Sequence, residues 1–507
     1  MDPTRQPSHE ERIDDVVEAA EIPPPLEDVP VAREDLRIAQ HGLEPRAQAP
    51  KRVIVIGGGI AGLVAAYELA RQGHDPLILE AQDRVGGRVY TLRDFAPGLY
   101  AEAGAMRIPR VHDLTLAYID KFGLPLRPFV MDNPKGLVFI GGRRMTAEQA
   151  RVEPDSLGFD LDDHERGHHV ADLWEAATQD LRELVANEGQ AAWEYIYREY
   201  DQYSLREFLL MKGFSEGAIE AYGVMNFVEA DMNNAVVEEL REDLGRNWQD
   251  MQEIAGGMDR LPNAFYAELQ ERIRFGAEVH AIEQDETSVA VHFKTEAGRY
   301  AVTGDYAVCA IPFSVLRHVE VLTPFSREKQ RAIRQLNYSA STKILFQVRE
   351  RVWESEGIFG GATVTDLPIR RMNYPTPDPT TPRGVLLASY TWSQDAARWG
   401  AMDDETRLEE ALEDVARIHP RIREVYEIGA SHAWYDDRWA NGAFALFAPE
   451  QKTQLQADIV APEGRIHFAG EHCSLHHAWI QGALESGIRA AREIHEADAP
   501  GRVTVAG

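Results

Sequence analysis

Residues 57–62 read Gly57-Gly58-Gly59-Ile60-Ala61-Gly62, a G-x-G-x-x-G spacing that suits one kind of ligand. Small residues at these positions allow a tight turn at Gly57, close approach of a diphosphate at Gly59, and close helix–strand packing at Gly62. Glu80 follows 23 residues after Gly57, where a carboxylate can accept both hydroxyls of a ribose. The chemistry this predicts is dinucleotide binding, with NAD(P) or FAD as the ligand. A second glycine turn, Arg84-Val85-Gly86-Gly87-Arg88, lies just beyond, where Arg88 could meet the same pyrophosphate.

The elements that must position these groups are visible around them. RVIVIG is a short β-branched run of the kind that forms a buried parallel strand, and IAGLVAAYELARQG follows with helical spacing. DPLILEA is a second strand of the same type. The helix N-terminus between them offers free N–H groups and a partial positive charge to a diphosphate. Strand, glycine turn, helix, strand and terminal Glu in this order separate the motif from a chance G-x-G-x-x-G. Further on, residues 147–234 turn helical and charged. Strand and helix then alternate again, and the chain closes on the strand RIHFAGEH and the helix WIQGALESGIRAAREIHEA.

Composition bounds the rest. At ~150 residues per domain, 507 residues suggest about three domains. Hydrophobic residues at 44% and charged residues at 27% exclude disorder as the main state. A net charge of −30 argues against nucleic acid and anionic membrane as partners. The longest uncharged stretch, 53–67, is too short to span a bilayer. Two cysteines, Cys309 and Cys473, cannot build a disulfide framework or a four-thiolate zinc site, and no metal site is expected. With no leader pattern at the start, they predict a cytoplasmic protein. Residues 1–50 carry 12 acidic and 5 basic residues and the run Pro23-Pro24-Pro25. This acidic arm reads as disordered or as laid over the body or a partner subunit, and a homodimer is allowed for.

GGGIAG, LEAQDRVGGR, FAGEH and GALESGIRAA together resemble the flavin-dependent amine oxidases, over about 51–497. The resemblance implies non-covalent FAD, with no cysteine in the family's flavin-linking context. It implies cofactor contacts from Gly57, Gly59, Ile60, Ala61, Gly62, Glu80, Ala81, Gly87, Arg88, Met106, Arg107, Val279, Gly470, Glu471, Trp479 and Ile480. It also implies that the C-terminal helix aims its positive end at the N1/C2=O edge of the flavin, favouring the anionic reduced form.

Within that family, Gly104-Ala105-Met106-Arg107 is similar to the segment of L-amino acid oxidases whose Arg holds the substrate carboxylate. Lys343 resembles the lysine that holds a water near flavin N5; an exposed strand lysine is the competing reading. His477-Ala478-Trp479-Ile480 resembles the stretch that sets a carbonyl and an indole beside the substrate amine, with core packing the alternative for Trp479. Tyr390 is placed on the carboxylate with Arg107. Phe444 and Trp434 are read as side-chain pocket walls or as core. His476 and Cys473 have no partner at ligand or triad spacing and read as packing residues. Two departures stand out. Tyr338-Ser339 lacks the arginine that venom-type oxidases carry there, and Glu242 follows Leu240-Arg241 where those enzymes place a His at the pocket entrance.

The resulting expectation is an α/β and α+β protein. A discontinuous Rossmann-like FAD-binding domain would use 51–92, 253–335 and 458–500. A mixed-sheet substrate-binding domain would use 93–145, 236–252 and 336–457, and a helical domain 146–235. The implied reaction is oxidative deamination of L-amino acids by hydride transfer from Cα to flavin N5, with O2 as second substrate and 2-oxo acid, ammonia and hydrogen peroxide as products. Apolar or aromatic side chains are expected from Trp479 and Phe444 as walls, while Glu242 is counted with Ala478, Phe444 and Trp434 in the substrate pocket and it or Arg241 could reach the entrance. The rivals are a decarboxylating amino-acid monooxygenase, a monoamine or polyamine oxidase, and a non-enzymatic binding protein on the same fold.

Overall fold

The RVIVI run forms the strand Arg52–Ile56, central in a five-stranded sheet. In order, the sheet holds Ile466–Phe468, Tyr306–Cys309, Arg52–Ile56, Asp75–Leu79 and Ile273–Arg274, all paired in parallel. The computed structural model describes residues 30–47, 49–376 and 381–497. Val53, Ile54, Val55 and Ile56 are all buried, as expected of a strand covered on both faces. The helices Ile60–Arg71 and Ile480–Glu496 pack against each other at Gly487. A Cβ on Gly487 would lie 2.5 Å from the Ala61 carbonyl oxygen, so only glycine permits this approach.

A four-stranded sheet follows, in the order Gly298–Gly304, Val289–Thr295, Glu278–Gln284 and Glu320–Val321. A larger seven-stranded sheet has Ser341–Val348 hydrogen-bonded between Tyr426–Ala433 and Gly384–Trp392. Every residue of Ser341–Val348 is buried, and its register sets Lys343 opposite Tyr390.

The helical stretch comprises Val170–Glu188, Gln190–Tyr200, Leu205–Met211 and Glu216–Met225. Its buried positions recur at three- and four-residue intervals, as in Val170, Leu173, Ala177 and Leu181. Ser204 and Glu207 form a capping box that starts Leu205–Met211. The run continues past the expected boundary at 235 through Val236–Leu244, whose Val236, Val237, Leu240 and Leu244 are buried.

Residues 1–29 of the acidic arm and the last three of the expected 458–500 segment lie outside the described residues. Within the arm, Pro30–His41 is a helix whose Ile38 and Ala39 are buried against the body. Lys121 fastens it by donating from Nζ to the Ala39 carbonyl at 2.6 Å. Among the described residues no helix is long and apolar enough to cross a membrane.

Candidate active site

The glycine turn has the geometry its composition demands. Gly57 has φ +102°, in the region that favours glycine. A Cβ on Gly62 would stand 2.1 Å from the Gly57 carbonyl oxygen, which fixes how closely the helix seats on the turn. A Cβ on Gly59 would meet nothing within 4 Å, leaving open space above that backbone. Glu80 closes the second strand. Its Oε2 accepts from the Gly58 N–H at 2.6 Å and its Oε1 from the Gln82 N–H at 2.8 Å, while burial raises its carboxyl above the usual range. Each oxygen keeps a further lone pair for a ligand hydroxyl. These residues fit a dinucleotide.

One cavity runs from this turn to the seven-stranded sheet. Its lining takes in Gly57, Gly59, Ile60, Ala61, Glu80, Ala81, Gly87, Arg88, Val279, Gly470, Glu471 and Ile480. It also takes in Met106, Arg107, Glu242, Lys343, Tyr390, Trp434, Phe444, Ala478 and Trp479. Of the residues assigned from the sequence to cofactor or substrate, Gly62 alone is not in the lining; it packs behind the turn. Arg88 donates through Nη1 to Glu471 at 2.7 Å and to the Ala443 carbonyl at 3.0 Å, tying the second glycine turn to the FAGEH segment.

Arg107 is buried, and its Nη1 has no hydrogen-bond partner among the described residues. Its guanidinium lies over the ring of Trp248, and desolvation lowers its pKa. Lys343 is buried too, which removes the reading of an exposed strand lysine. Its Nζ donates to the carbonyls of Gly104 at 2.6 Å and Glu102 at 3.2 Å, over the Tyr390 ring at 4.8 Å. Burial, reinforced by the charge of Arg107, brings the Lys343 amine down to about 7.

At the start of the C-terminal helix, Ala478 adopts φ +65°, and its N–H donates to Glu471 at 3.1 Å. Trp479 follows, its indole N–H donating to Glu242 Oε1 at 2.8 Å. His112 meets the Trp479 ring edge-on at 4.9 Å. Trp434 and Phe444 line the cavity while also packing: Trp434 donates its indole N–H to the Ala103 carbonyl at 2.8 Å, and Phe444 stands perpendicular to Trp392. Cys473 is buried as expected, but His476 does have a carboxylate partner, Glu485, at 3.0 Å.

Glu242 stands in the cavity as the sequence reading placed it, holding Trp479, and the acidic side chains Asp231 and Glu239, not foreseen from the sequence, line the same cavity. Sequence reasoning also missed Trp248, Trp392 and the pair Glu238–His477, joined at 3.0 Å. Burial would raise Glu238, but His477 and Arg241 hold it at about 2. The available signal was the cluster Glu238, Glu239 and Glu242 on a helix that also carries a buried apolar face. Arg371, equally unforeseen, is buried over the Phe227 ring, and its Nη2 is unpartnered among the described residues.

Comparison with known proteins agrees with this geometry. The profile of a family described as flavin containing amine oxidoreductase matches residues 60–495. A Bacillus subtilis (strain 168) protein named "Putative L-amino-acid oxidase YobN" is 39% identical over 468 residues, covering 91% of this chain and 98% of its own length. The L-amino acid oxidase of Cerastes cerastes is 33% identical over 472 residues, covering 92% and 90%. The structure of cyclohexylamine oxidase from Brevibacterium oxydans IH-35A shares the fold with a TM-score of 0.73 at 20% identity, covering 89% of this chain and 99% of that one. With its glycine cradle and its cavity joined in one body, this chain belongs to the flavin-containing amine oxidoreductase family.

Proposed function

We propose that the protein oxidatively deaminates L-amino acids with FAD, releasing a 2-oxo acid, ammonia and hydrogen peroxide. The observation that carries this reading is Arg107. A buried guanidinium with an unpartnered N–H, in a cavity continuous with a dinucleotide cradle, calls for an anion from outside the protein. The substrate carboxylate supplies that anion, and the names of the sequence relatives support the choice.

The Gly57–Gly62 turn and Glu80 would hold the diphosphate and ribose of FAD, which would supply the acceptor for the Cα hydride and the redox link to O2. Neither Cys309 nor Cys473 lines the cavity, which supports non-covalent binding. Arg107 fixes the carboxylate, and Tyr390 flanks it. The Ala478 and Trp479 backbone sets the amine, so orientation provides much of the rate enhancement. Lys343, near neutrality in pKa, can hold or release a proton beside the reacting carbon. The rings of Tyr390, Trp392 and Phe444 offer apolar surface to the side chain. Two free, buried thiols suit a cytoplasmic location.

A peroxide-coupled screen of L-amino acids, D-amino acids and matching amines tests this reading. Turnover of L-amino acids with ammonia release is expected. Faster oxidation of the amines would overturn it, as would stoichiometric CO2 with an amide product.

A further inference from the structure

The cavity holds more carboxyl groups than an apolar substrate needs. Asp231, Glu239 and Glu242 all line it, brought there by the short turn Glu229–Asp231 and by the helix Val236–Leu244. Asp231 is 7% exposed, and its Oδ2 has no hydrogen-bond partner among the described residues. Its Oδ1 is already engaged by Ser393 at 2.5 Å and Asn234 at 2.8 Å. Glu242 repeats the pattern, with Oε1 on the Trp479 indole and Oε2 buried and unpartnered. The neighbouring cation, Arg241, is bonded to Glu238, which also accepts from His477 and the Phe447 N–H. Arg241 hydrogen-bonds Glu238 and not the open oxygens, and reaches Glu242 only through its charge.

Two buried acceptor oxygens left open, in a wall otherwise made of Tyr390, Trp392, Phe444 and Trp479, form a particular kind of receptor. Aromatic faces and carboxylates together attract a cation carried on an apolar stem. Of the cations that line the cavity, Arg88 is paired with Glu471, and Arg107 and Lys343 are assigned above to the carboxylate and the reacting carbon. Glu242 acts on Arg107 through its charge, so the carboxyl set apart from the clamp is Asp231, held by Ser393 next to Trp392, with Glu239 in the same wall. We infer that the preferred substrate is an L-amino acid whose side chain ends in a protonated amine or guanidinium. The inference rests on the amino-acid-oxidase reading above and replaces a purely apolar preference. Burial holds Glu239 and Glu242 up at about 7 and Asp231 at about 6 while no ligand cation faces them. A bound ammonium would draw them back to the ionised form.

The test compares pairs that differ only in the terminal charge, using the full-length holoenzyme. L-Lysine should show a kcat/KM about 10- to 100-fold above that of L-norleucine, the range a charge-assisted hydrogen bond provides. 6-Aminohexanoate, which lacks the α-amine and cannot be oxidised at Cα, should bind at least about tenfold more tightly than hexanoate, read by quenching of tryptophan fluorescence under anaerobic conditions. Asp231→Asn should collapse both ratios. If that variant does not fold, the wild-type ratios decide alone. Norleucine equal to or better than lysine, with hexanoate binding as well as 6-aminohexanoate, would overturn the inference while leaving the parent reading intact. Tight binding of 6-aminohexanoate without oxidation of any L-amino acid would overturn the parent reading, and the present inference with it.

Discussion

The guanidinium carbon of Arg107 lies 4.8 Å from the centre of the Trp248 ring. The indole supports one face of the cation without occupying its N–H groups, so the fork remains open to a ligand. Trp248 in turn meets Trp479 edge-on at 6.0 Å, which links the carboxylate clamp to the residue beside the amine.

Arg107→Ala should therefore lower kcat/KM for L-amino acids by about 30- to several-thousand-fold, since truncating one partner of a desolvated charge pair costs on the order of 2–5 kcal/mol. Arg107→Lys should recover only part of this, because an ammonium lacks the bidentate fork. Flavin content, measured by absorbance, should stay near the wild-type level. A pale variant that regains its rate on adding FAD would move Arg107 from substrate to cofactor.

The protein should purify yellow and release its flavin into the supernatant on acid precipitation. Colour retained in the pellet would contradict non-covalent binding.

Ala478→Gly should raise stability by about 0.5–1 kcal/mol, because φ +65° is strained for alanine and free for glycine. Ala478→Val should lower it, since a branched Cβ fits that region worse. Thermal melting of the three proteins side by side checks the order.

Glu242 gives a prediction in pH. Its carboxyl sits at about 7 because of burial, above the ordinary value of 4.5, so the folded state binds the proton more tightly than the unfolded state. The stability from this group is fully present below 4.5 and is lost as pH rises through 7. Glu242→Gln should therefore gain stability relative to wild type between about pH 5 and 8, reaching on the order of 3 kcal/mol at the upper end. Chemical denaturation at several pH values measures it, and a gap that narrows with rising pH would contradict the assignment.

Gly487→Ala should destabilise by about 1–3 kcal/mol despite its better helix propensity, because the Ala61 backbone cannot yield to the added methyl. A rise in melting temperature would show that the two helices can separate without cost.

What was legible in the sequence follows from how local each constraint is. Gly57, Gly59 and Gly62 are demanded by backbone geometry within six residues, and Glu80 by the end of the adjacent strand, so spacing alone could find them. Arg107 and Lys343 were found through a motif and an apolar strand. Trp248 and Asp231 offered no such signal. Their residue types are ordinary, and their meaning comes from neighbours far away in the chain, as when Ser393 reaches Asp231 or Trp248 underlies Arg107. Glu242 was legible through the family comparison, but Glu239 was missed because carboxylates on a helix usually face water, and only the packing of Val236–Leu244 turns it inward.

The parallel sheet draws its strands from three distant stretches, and Ile466–Phe468 supplies an edge that emerges late in synthesis. The glycine turn leaves the ribosome early and waits for Ile480–Glu496 to seat against Ile60–Arg71 through Gly487. Nascent chains therefore cannot assemble the whole cradle until nearly all of the described residues have been translated. A translation product that stops before Ile480–Glu496 should lack part of the cradle and be prone to proteolysis.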